Sequence, residues 1–496
     1  MAAVAALPLA ARFVVDTPLW LDEALSVNIA KLPLSQLGEA LRHDGHPPLY
    51  YVLLHGWMDV FGEGNLAVRA MSGVISLIAL PLAFLVGRRT GGYWLGVLTA
   101  WTLALSPFFL RYGSETRMYS LVIVLSLAGY LSVDTALRER RNVALVGVAL
   151  STCGLLWTHY WSWWLLATAG LLLLGDLVVR RRRGRPLMPT VAVIAAMGVG
   201  GLGFLPWLPS MLYQADHTGT PWAEPFRPAT LFITAVTDFN GGPYSEPQIL
   251  MLFTLILTVV ALFAVGTDRV TLTVDLRTQA DARLPAVLMF GTMALASVAS
   301  LLMGAAFASR YAAVFFPFWV LLVALGLHRF VPGRARTVVL VVFGALSLLG
   351  SAFVFRQDRT QAGPAAEAIR HHPASDSIVV TCPDQLGPAL SRALGDDFDV
   401  VTYPRFESPL RVDWVDYAER NAKNDPIAFA DELLARAGSR AIYVAYRTDF
   451  LTIKSQCADM VGRLNQSRPS RVLLSPEPED FFEAMTLVVL PGANGP

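Results

Sequence analysis

Two acidic residues lie side by side just after an apolar N-terminal stretch. Asp22 and Glu23 stand in the sequence Trp-Leu-Asp-Glu-Ala, a few residues beyond the apolar residues 1–15. Carboxylates close to a bilayer are energetically costly, which favours a functional role for the pair. The alternative is that both residues stabilise the start of the following helix, because negative charge at a helix N-terminus is favourable. The pair alone leaves both interpretations open.

More polar and aromatic residues follow at the ends of later apolar stretches. The residues that we expect to share one site with the acidic pair are His46, Tyr50, Arg69, Glu115, Arg117, His159, Arg310 and Tyr311. A carboxylate can take a proton from an attacking hydroxyl, and arginine binds phosphate through a planar fork. These residue types could therefore form a site that moves a proton and binds an anion. The alternative for each arginine is contact with lipid headgroups.

The histidines allow a metal site without requiring one. His43, Asp44, His46 and His159 carry side chains that can bind a divalent cation. His46 can instead contact a donor phosphate or an acceptor, or be a structural histidine. No spacing in the chain resembles a zinc or iron–sulfur site, so the sequence identifies no certain metal or cofactor.

The composition is typical of a protein with many membrane spans. The chain has 496 residues, of which 54% are hydrophobic and 16% are charged, and its mean hydropathy is +0.49. A soluble domain is about 25% charged. The formal net charge of +1 gives no indication of a nucleic-acid partner.

About eleven apolar stretches predict transmembrane helices, the first of which we interpret as incomplete. They cover residues 1–15, 68–86, 93–110, 118–136, 142–158, 162–179, 187–209, 249–266, 285–306, 311–327 and 337–355. Arginine clusters follow alternate stretches, so the positive-inside rule predicts a cytoplasmic N-terminus and an extracytoplasmic C-terminus. The polar residues of the expected site then lie together on the outer face of a multi-pass plasma-membrane protein.

Two outer loops interrupt the region 1–355, which we expect to form a transmembrane catalytic domain. The first loop, residues 16–67, contains two amphipathic patterns, at 22–42 with a break at Pro33 and at 47–61, which indicate helices in the interface. The second loop, residues 210–248, offers aromatic residues for acceptor or lipid: Trp222, Phe226, Phe239 and Tyr244. The aromatic cluster from Trp157 to Trp164 is more typical of an interfacial belt.

Residues 356–496 predict a soluble extracytoplasmic α/β domain with a largely parallel sheet. The predicted strands lie at 377–381, 399–403, 441–445, 471–474 and 485–490, and the predicted helices at 384–394, 411–421, 426–437 and 452–465. The segment has no GxGxxG and no P-loop, so nucleotide binding is not supported. Cys382 and Cys457 either remain free or form a disulfide, as an extracytoplasmic location would allow.

Residues 16–355 resemble the GT-C superfamily of membrane glycosyltransferases. The most specific pieces are the Leu-Asp-Glu-Ala sequence at Asp22 and the His-Pro-Pro-Leu-Tyr-Tyr run that starts at His46, supported by Arg310-Tyr311. The branch that this chain resembles most contains protein O-mannosyltransferases and lipid A aminoarabinose transferases. The aminoarabinose transferases have an acid and a lysine before the paired prolines, where this chain has Gly45 and His46.

The resemblance implies an inverting transfer of a sugar from a polyprenyl-phosphate donor to an extracytoplasmic glycan, lipid or protein acceptor. It assigns the catalytic acid/base to Asp22, while Glu23 orients Asp22, contacts the acceptor or caps the helix. It also implies that the lipid phosphate contacts Arg310 first, with Tyr311, then Arg69 and Arg117, and Arg111 last. The residues left for substrate contacts are His46, Tyr50, Glu115 and His159. Some relatives use a metal near this loop and others need none. Mannose is the sugar that family frequency favours.

Two other functions compete with transfer. A transporter or flippase of lipid-linked sugars would carry ionisable residues near the middle of the membrane, or repeats between halves. The ionisable residues here lie instead at the ends of apolar stretches. A non-catalytic cell-envelope scaffold would leave the group of Asp, His and Arg residues unexplained.

Overall fold

The computed structural model describes residues 2–219, 227–243, 245–303, 307–371, 377–448 and 450–492, and it is predominantly helical as far as Arg356. The first four helices precede the long apolar ones. They are α1 (Ala2–Ala11), α2 (Leu21–Ala30), α3 (Leu34–Asp44) and α4 (Leu49–Phe61). Pro33 separates α2 from α3, as the sequence predicted, and Gly45 ends α3 with a positive φ of 91°. A left-handed residue at this position is readily adopted by glycine.

The helices of the predicted apolar stretches follow, together with shorter helices between them. They are α5 (Asn65–Gly91), α6 (Tyr93–Leu105), α7 (Pro107–Gly113), α8 (Tyr119–Arg138), α9 (Asn142–Thr158), α10 (Ser162–Arg182), α11 (Met188–Leu202), α12 (Leu208–His217), α13 (Pro228–Phe239), α14 (Ser245–Phe263), α15 (Ala280–Ala286), α16 (Thr292–Met303), α17 (Phe316–Arg329) and α18 (Arg334–Arg356). Within the described ranges, six helical segments are long and apolar enough to cross a membrane, or seven if the bent pair α6–α7 is one span. Shorter apolar helices make up the rest, so eleven spans remains a prediction.

The bend between α6 and α7 leads the chain into the region of the expected site. The two helices meet at 61°. Ser106 accepts a hydrogen bond from the backbone N–H of Phe109, and Pro107 occupies the first turn of α7, where its missing N–H has no cost. The turn after α7 carries Glu115 and Arg117.

Ion pairs join neighbouring helices at the ends that lie away from the turn carrying Glu115 and Arg117. Arg89 donates to Asp134 at 3.1 Å, and Arg329 donates to Asp281 at 2.9 Å. A two-stranded hairpin that the sequence did not predict, β1 (Ala264–Gly266) and β2 (Leu272–Val274), lies beside this second pair. These arginines belong to the clusters that the positive-inside rule assigned to the cytoplasm.

The C-terminal segment contains a five-stranded sheet with helices between its strands. The strands are β3 (Ser377–Cys382), β4 (Asp399–Thr402), β5 (Ala441–Tyr446), β6 (Arg471–Leu474) and β7 (Thr486–Leu490). The helices are α19 (Ala362–His371), α20 (Gly387–Leu394), α21 (Tyr417–Ala422), α22 (Pro426–Ala437) and α23 (Gln456–Ser467). Cys382 and Cys457 form a disulfide that joins β3 to α23.

The sheet is mixed, which corrects the prediction of a largely parallel one. Its order is β4-β3-β5-β7-β6, in which β3 pairs in parallel with β4 and β5, whereas β7 is antiparallel to both of its neighbours. The physical reason is the short link between β6 and β7, which contains no helix. A parallel return would need a crossover connection of a dozen or more residues, usually a helix.

Candidate active site

Asp22 lies in the first turn of α2, between two arginines from distant parts of the chain. Its Oδ2 atom is 3.3 Å from Nη2 of Arg310 and 3.9 Å from Nη2 of Arg117. Burial alone would raise the pKa of Asp22, but the positive charges of Arg310 and Arg117 outweigh it and hold that pKa below its usual value. The carboxylate is therefore ionised at neutral pH, with 14% of its side chain exposed.

Glu23 has a different environment from its neighbour. Its side chain is fully buried, and both of its oxygens accept hydrogen bonds from Arg69, at 2.8 and 2.6 Å. Oε1 also accepts the backbone N–H of Thr116 at 2.9 Å. This geometry joins the start of α2 to α5 and to the turn after α7.

Arg69, which the sequence suggested for phosphate binding, directs its nitrogens elsewhere. Besides the two bonds to Glu23, it donates to the backbone oxygens of Val15, Thr17 and Pro18, at 2.8 to 3.3 Å. All three of its nitrogens thus donate to protein acceptors, and its side chain is 4% exposed. The geometry favours a bracing role for Arg69 over a phosphate contact.

Arg117 is held in a chain of polar contacts with the His46 run. Its Nη2 donates to Nε2 of His46 at 3.0 Å, and Nδ1 of His46 lies 2.8 Å from Oδ2 of Asp44. Because an arginine can only donate, Nε2 of His46 is the acceptor and Nδ1 carries the hydrogen. Asp44 also accepts from the hydroxyl of Tyr51 at 3.1 Å. This series of hydrogen bonds fixes the direction in which Arg117 approaches Asp22.

Tyr50, predicted to contact substrate, is entirely buried. Its hydroxyl bonds with Oγ of Ser72 at 3.0 Å, and Ser72 donates to the backbone oxygen of Arg117 at 3.1 Å. The direct substrate contact of Tyr50 therefore stays a prediction, and in this structure its hydroxyl is engaged by Ser72. Tyr50 is linked to the site through Ser72 and the backbone of Arg117, and through its ring contact with Tyr51 at 6.1 Å.

Arg310 and Tyr311 lie in a 3₁₀ turn, Ser309–Val314, before α17. The guanidinium of Arg310 is 5.6 Å from the ring of Trp20, within the range of a cation–π contact. The ring of half-buried Tyr311 is 5.1 Å from that of His159. Aromatic groups thus line one side of the space next to Asp22.

His159 is buried and electrically neutral. Its Nδ1 accepts the backbone N–H of Trp161 at 3.1 Å, which leaves the hydrogen on Nε2. Burial lowers the pKa of His159 well below its usual value, and the positive charges of Arg117 and Arg310 lower it further. A neutral His159 can donate one hydrogen bond but adds no charge to the site.

The four residues that the sequence suggested as metal ligands do not share one partner in the structure. His43 bonds through Nδ1 with Asp413 of the C-terminal segment at 2.9 Å, Asp44 and His46 bond with each other, and His159 lies against Tyr311. The described ranges contain no group of three or more His, Cys, Asp and Glu side chains arranged to hold a metal ion.

Glu115 and its partner Arg359 form a second buried pair. Oε1 of Glu115 is 3.3 Å from Nη1 of Arg359, and burial raises the pKa of Glu115 although Arg359 opposes the shift. The pair lines a cavity of about 40 Å³, together with Glu23, Arg69 and Arg111. Sequence reasoning missed Arg359 because it follows the last apolar helix, in the segment expected to be a separate domain.

The second outer loop contributes a packed residue where an exposed one was expected. Phe239 is 2% exposed, and its ring lies 5.1 Å from Phe108 and 5.0 Å from Phe316, so in this structure it packs within the protein, and its contact with acceptor or lipid stays a prediction. Trp222, Phe226 and Tyr244 lie outside the described residues. Nearby, Asp238 binds Arg111 at 3.1 Å, which makes Arg111 a poor candidate for phosphate.

Comparison with known proteins supports the fold. Residues 45–207 match the family model described as dolichyl-phosphate-mannose-protein mannosyltransferase. ArnT from Cupriavidus metallidurans bound to undecaprenyl phosphate superposes with a TM-score of 0.60 at 12% identity, and covers 98% of this chain and 97% of its own. Its apo state gives 0.58 at 12% identity, with 99% and 97% covered.

A weaker structural match is the archaeal oligosaccharyltransferase AglB from Archaeoglobus fulgidus, with a TM-score of 0.49 at 10% identity over 97% of this chain and 74% of that one. A search of curated protein sequences finds no match. The ArnT superposition and the family model confirm the resemblance read from the sequence: the chain is a multi-pass membrane protein with the fold of the GT-C glycosyltransferases.

Proposed function

We propose that the protein is an inverting glycosyltransferase that moves a sugar from a polyprenyl-phosphate donor to an extracytoplasmic acceptor. The observation that carries the proposal is the placement of Asp22 between Arg310 and Arg117, within 3.3 and 3.9 Å. A carboxylate and two cations are the groups that this reaction needs. The ArnT that shares the fold was solved with undecaprenyl phosphate, which supports a lipid phosphate as part of the donor.

Asp22 acts as the general base in this proposal. The acceptor oxygen forms a bond to the anomeric carbon while the bond from that carbon to the phosphate oxygen breaks. The acceptor proton moves to Asp22, and the electron pair of the broken bond stays on the lipid phosphate. Arg310 stabilises the charge that develops there, since fixed cations are most effective where charge appears in the transition state. Arg117 is 3% exposed and its nitrogens bond to Ser26 and His46, so it contributes the field of its fixed positive charge without a direct contact with the phosphate.

Because of these arginines, the strength of Asp22 as a base should depend on whether the donor is bound. In the structure they lower the pKa of Asp22. A bound phosphate shares their positive charge, so the pKa of Asp22 rises when the donor binds. The base becomes stronger only when there is a sugar to transfer, and Glu23 and Arg69 hold the helix that carries it.

An apolar groove among the later apolar helices fits a polyprenyl chain. It has a volume of about 360 Å³ and is lined by residues of α13, α14, α17 and the helix between α15 and α16, among them Phe232, Ile256, Phe290 and Trp319. Trp319 packs against Phe239 at 5.9 Å, and α17 begins six residues after Arg310. The groove therefore shares α17 with the segment that carries Arg310, which supports it as the place for the lipid chain of a donor whose phosphate Arg310 binds.

The disulfide supports an outward-facing site. Cys382 and Cys457 are bonded in the C-terminal segment, which lies on the same side of the helices as Asp22. Disulfides persist in oxidising, extracytoplasmic compartments. We propose mannose as the first sugar to test, because the matching family model is named for mannose transfer, and a glycan, a lipid or a protein as the acceptor.

The test compares sugar transfer by the wild type with transfer by Asp22→Asn. Purified protein is given polyprenyl-phosphate mannose, arabinose, galactose or glucose and candidate acceptors, and transfer of label is measured. Loss of a general base predicts a fall in kcat of about 10²- to 10⁴-fold. Asp16→Asn, an exposed carboxylate on the same segment, is the matched control and should keep wild-type activity.

Unchanged transfer by Asp22→Asn would rule out Asp22 as the base. If no donor is bound or transferred by the wild type, the chain is not the proposed enzyme. Movement of donor between leaflets without transfer would favour a flippase instead, and neither movement nor transfer would favour a scaffold.

A further inference from the structure

The helix that carries Asp22 is capped by a residue from the far end of the chain. The residue before α2 is Trp20, whose side chain makes no capping hydrogen bond. Instead, the first backbone N–H of the helix, that of Leu21, donates to Oε1 of Glu483 at 3.1 Å. The first N–H groups of a helix have no partner within the helix, so an acceptor here stabilises its start. A distant carboxylate thus takes the role that a local Ser or Asp usually fills.

Glu483 is itself held at the junction of the C-terminal segment with the last apolar helix. Its backbone N–H donates to the oxygen of Arg359 at 2.8 Å, and its backbone oxygen accepts from Gln361 at 3.1 Å. Residues 359–361 follow α18 after a link of two residues. The neighbouring Phe482 places its ring 5.6 Å from that of Trp20, edge to face. The position of Glu483 is therefore fixed by backbone bonds on both sides.

The C-terminal segment also contacts α2 beyond its first turn. Near the end of the helix, Asn28 donates to the backbone oxygen of Leu410 at 2.7 Å. In the middle, Leu25 packs in one apolar cluster with Val412, Trp414 and Tyr417. Contacts at the start, the middle and the end leave α2 little freedom to tilt or slide against the C-terminal segment.

We propose that Glu483 is a positioning residue for Asp22, through which the C-terminal segment becomes part of the catalytic centre. The inference rests on the proposed function. Asp22 is the second residue of α2, so its distance from Arg310 depends on how the first turn of the helix is held. Misplacement of a catalytic group by about 1 Å can cost about 10²-fold in rate. A C-terminal segment that only recruited acceptor would have no reason to cap this helix.

The charge of Glu483 supports the same coupling. Burial raises the pKa of Glu483 to about 7, although Thr360 and the Leu21 N–H lower it. The charged groups that face it are Asp22 on α2, Arg447 after β5 and Arg359 at its backbone. Above pH 7 the ionised carboxylate is a strong acceptor for the Leu21 N–H and raises the pKa of Asp22. As the pH falls through 7, protonation weakens both effects, and kcat should fall.

The experiment uses the full-length protein with Glu483→Ala, Glu483→Gln and the exposed control Glu479→Gln. Steady-state rates against pH are combined with hydrogen–deuterium exchange of the peptide that covers residues 21–30. Glu483→Ala should lower kcat by about 10-fold or more at pH 8, leave the donor KM within about twofold of wild type, and speed exchange in α2. Glu483→Gln, which keeps an acceptor but no charge, should lose the decline in kcat near pH 7, with slow exchange retained. The control should match wild type in both readouts.

Two results would overturn the proposal. One is a Glu483→Ala protein with wild-type kcat and unchanged exchange in residues 21–30. The other is a raised KM for donor or acceptor at unchanged kcat, which would assign Glu483 to binding. Hydrogen exchange needs no substrate. If wild type transfers no sugar, the proposed function fails, while unchanged exchange in Glu483→Ala would separately refute the coupling.

Discussion

At the residue scale, the adjacent carboxylates Asp22 and Glu23 differ in exposure and in how closely arginine binds them. Asp22 keeps 14% of its side chain exposed and faces arginines at more than 3 Å, whereas Glu23 is completely buried and closes a two-pronged pair with Arg69. The arginines near Asp22 set the pKa of a carboxylate that can reach substrate. A pair with every oxygen and nitrogen engaged is suited to bracing, since removing one partner leaves a buried charge without compensation.

The bracing role predicts how substitutions of the buried pair behave. Glu23→Gln or Arg69→Met should each lower the free energy of unfolding by about 3–5 kcal/mol, because each leaves one uncompensated buried charge. The double variant Glu23→Leu with Arg69→Met should recover part of that loss. Thermal unfolding in detergent measures it, with Lys31→Met, one partner of an exposed ion pair, as control.

Donor binding gives the opposing test for Arg69. If Arg69→Met weakens donor binding while its unfolding temperature stays at the wild-type value, Arg69 contacts the phosphate after all, as the sequence suggested.

At the element scale, the sequence predicted the positions of helices and strands, because these depend on the local pattern of apolar and polar residues. Each predicted apolar stretch contains a helix, and the break at Pro33 and the five strands of the C-terminal segment lie where expected. The antiparallel direction of β7 and the hairpin of β1 and β2 were missed. Strand direction depends on which neighbours a strand finds in space, and periodicity within one segment carries no such information.

The contact between α14 and α17 gives a test at this scale. A Cβ at Gly326 would lie 2.1 Å from the backbone oxygen of Leu257, so only glycine permits this approach. Gly326→Ala should push the helices apart and lower the free energy of unfolding by about 1–3 kcal/mol. Because Leu257 lies between groove residues Ile256 and Thr258, donor binding should also weaken.

Thermal unfolding and donor titration check both expectations for Gly326→Ala. The matched control is Gly175→Ala in α10, where an added Cβ meets no atom within 4 Å. Equal stability of the two variants would contradict the close approach of α14 and α17.

At the scale of the whole molecule, the site is assembled from both ends of the chain. Sequence analysis brought Asp22, Arg117, His159 and Arg310 to one face through topology, and the structure places them together. It did not find Arg359 or Glu483, because no local signal marks a contact with a residue far away in the sequence; Glu483 lies 462 positions from its partner Leu21. Because the C-terminal segment was expected to be an independent domain, its residues were not considered as part of the site.

The orientation of this assembly in the membrane yields the last prediction. Positive residues cluster at the end of the helices opposite Asp22, and the positive-inside rule places that end in the cytoplasm. In a Cys153→Ala background, Glu479→Cys should react with a membrane-impermeant maleimide on intact cells. Val270→Cys, in the hairpin between β1 and β2 and 86% exposed, should react only after permeabilisation. The reverse pattern would place Asp22 on the cytoplasmic side, where a disulfide between Cys382 and Cys457 would not be expected to persist.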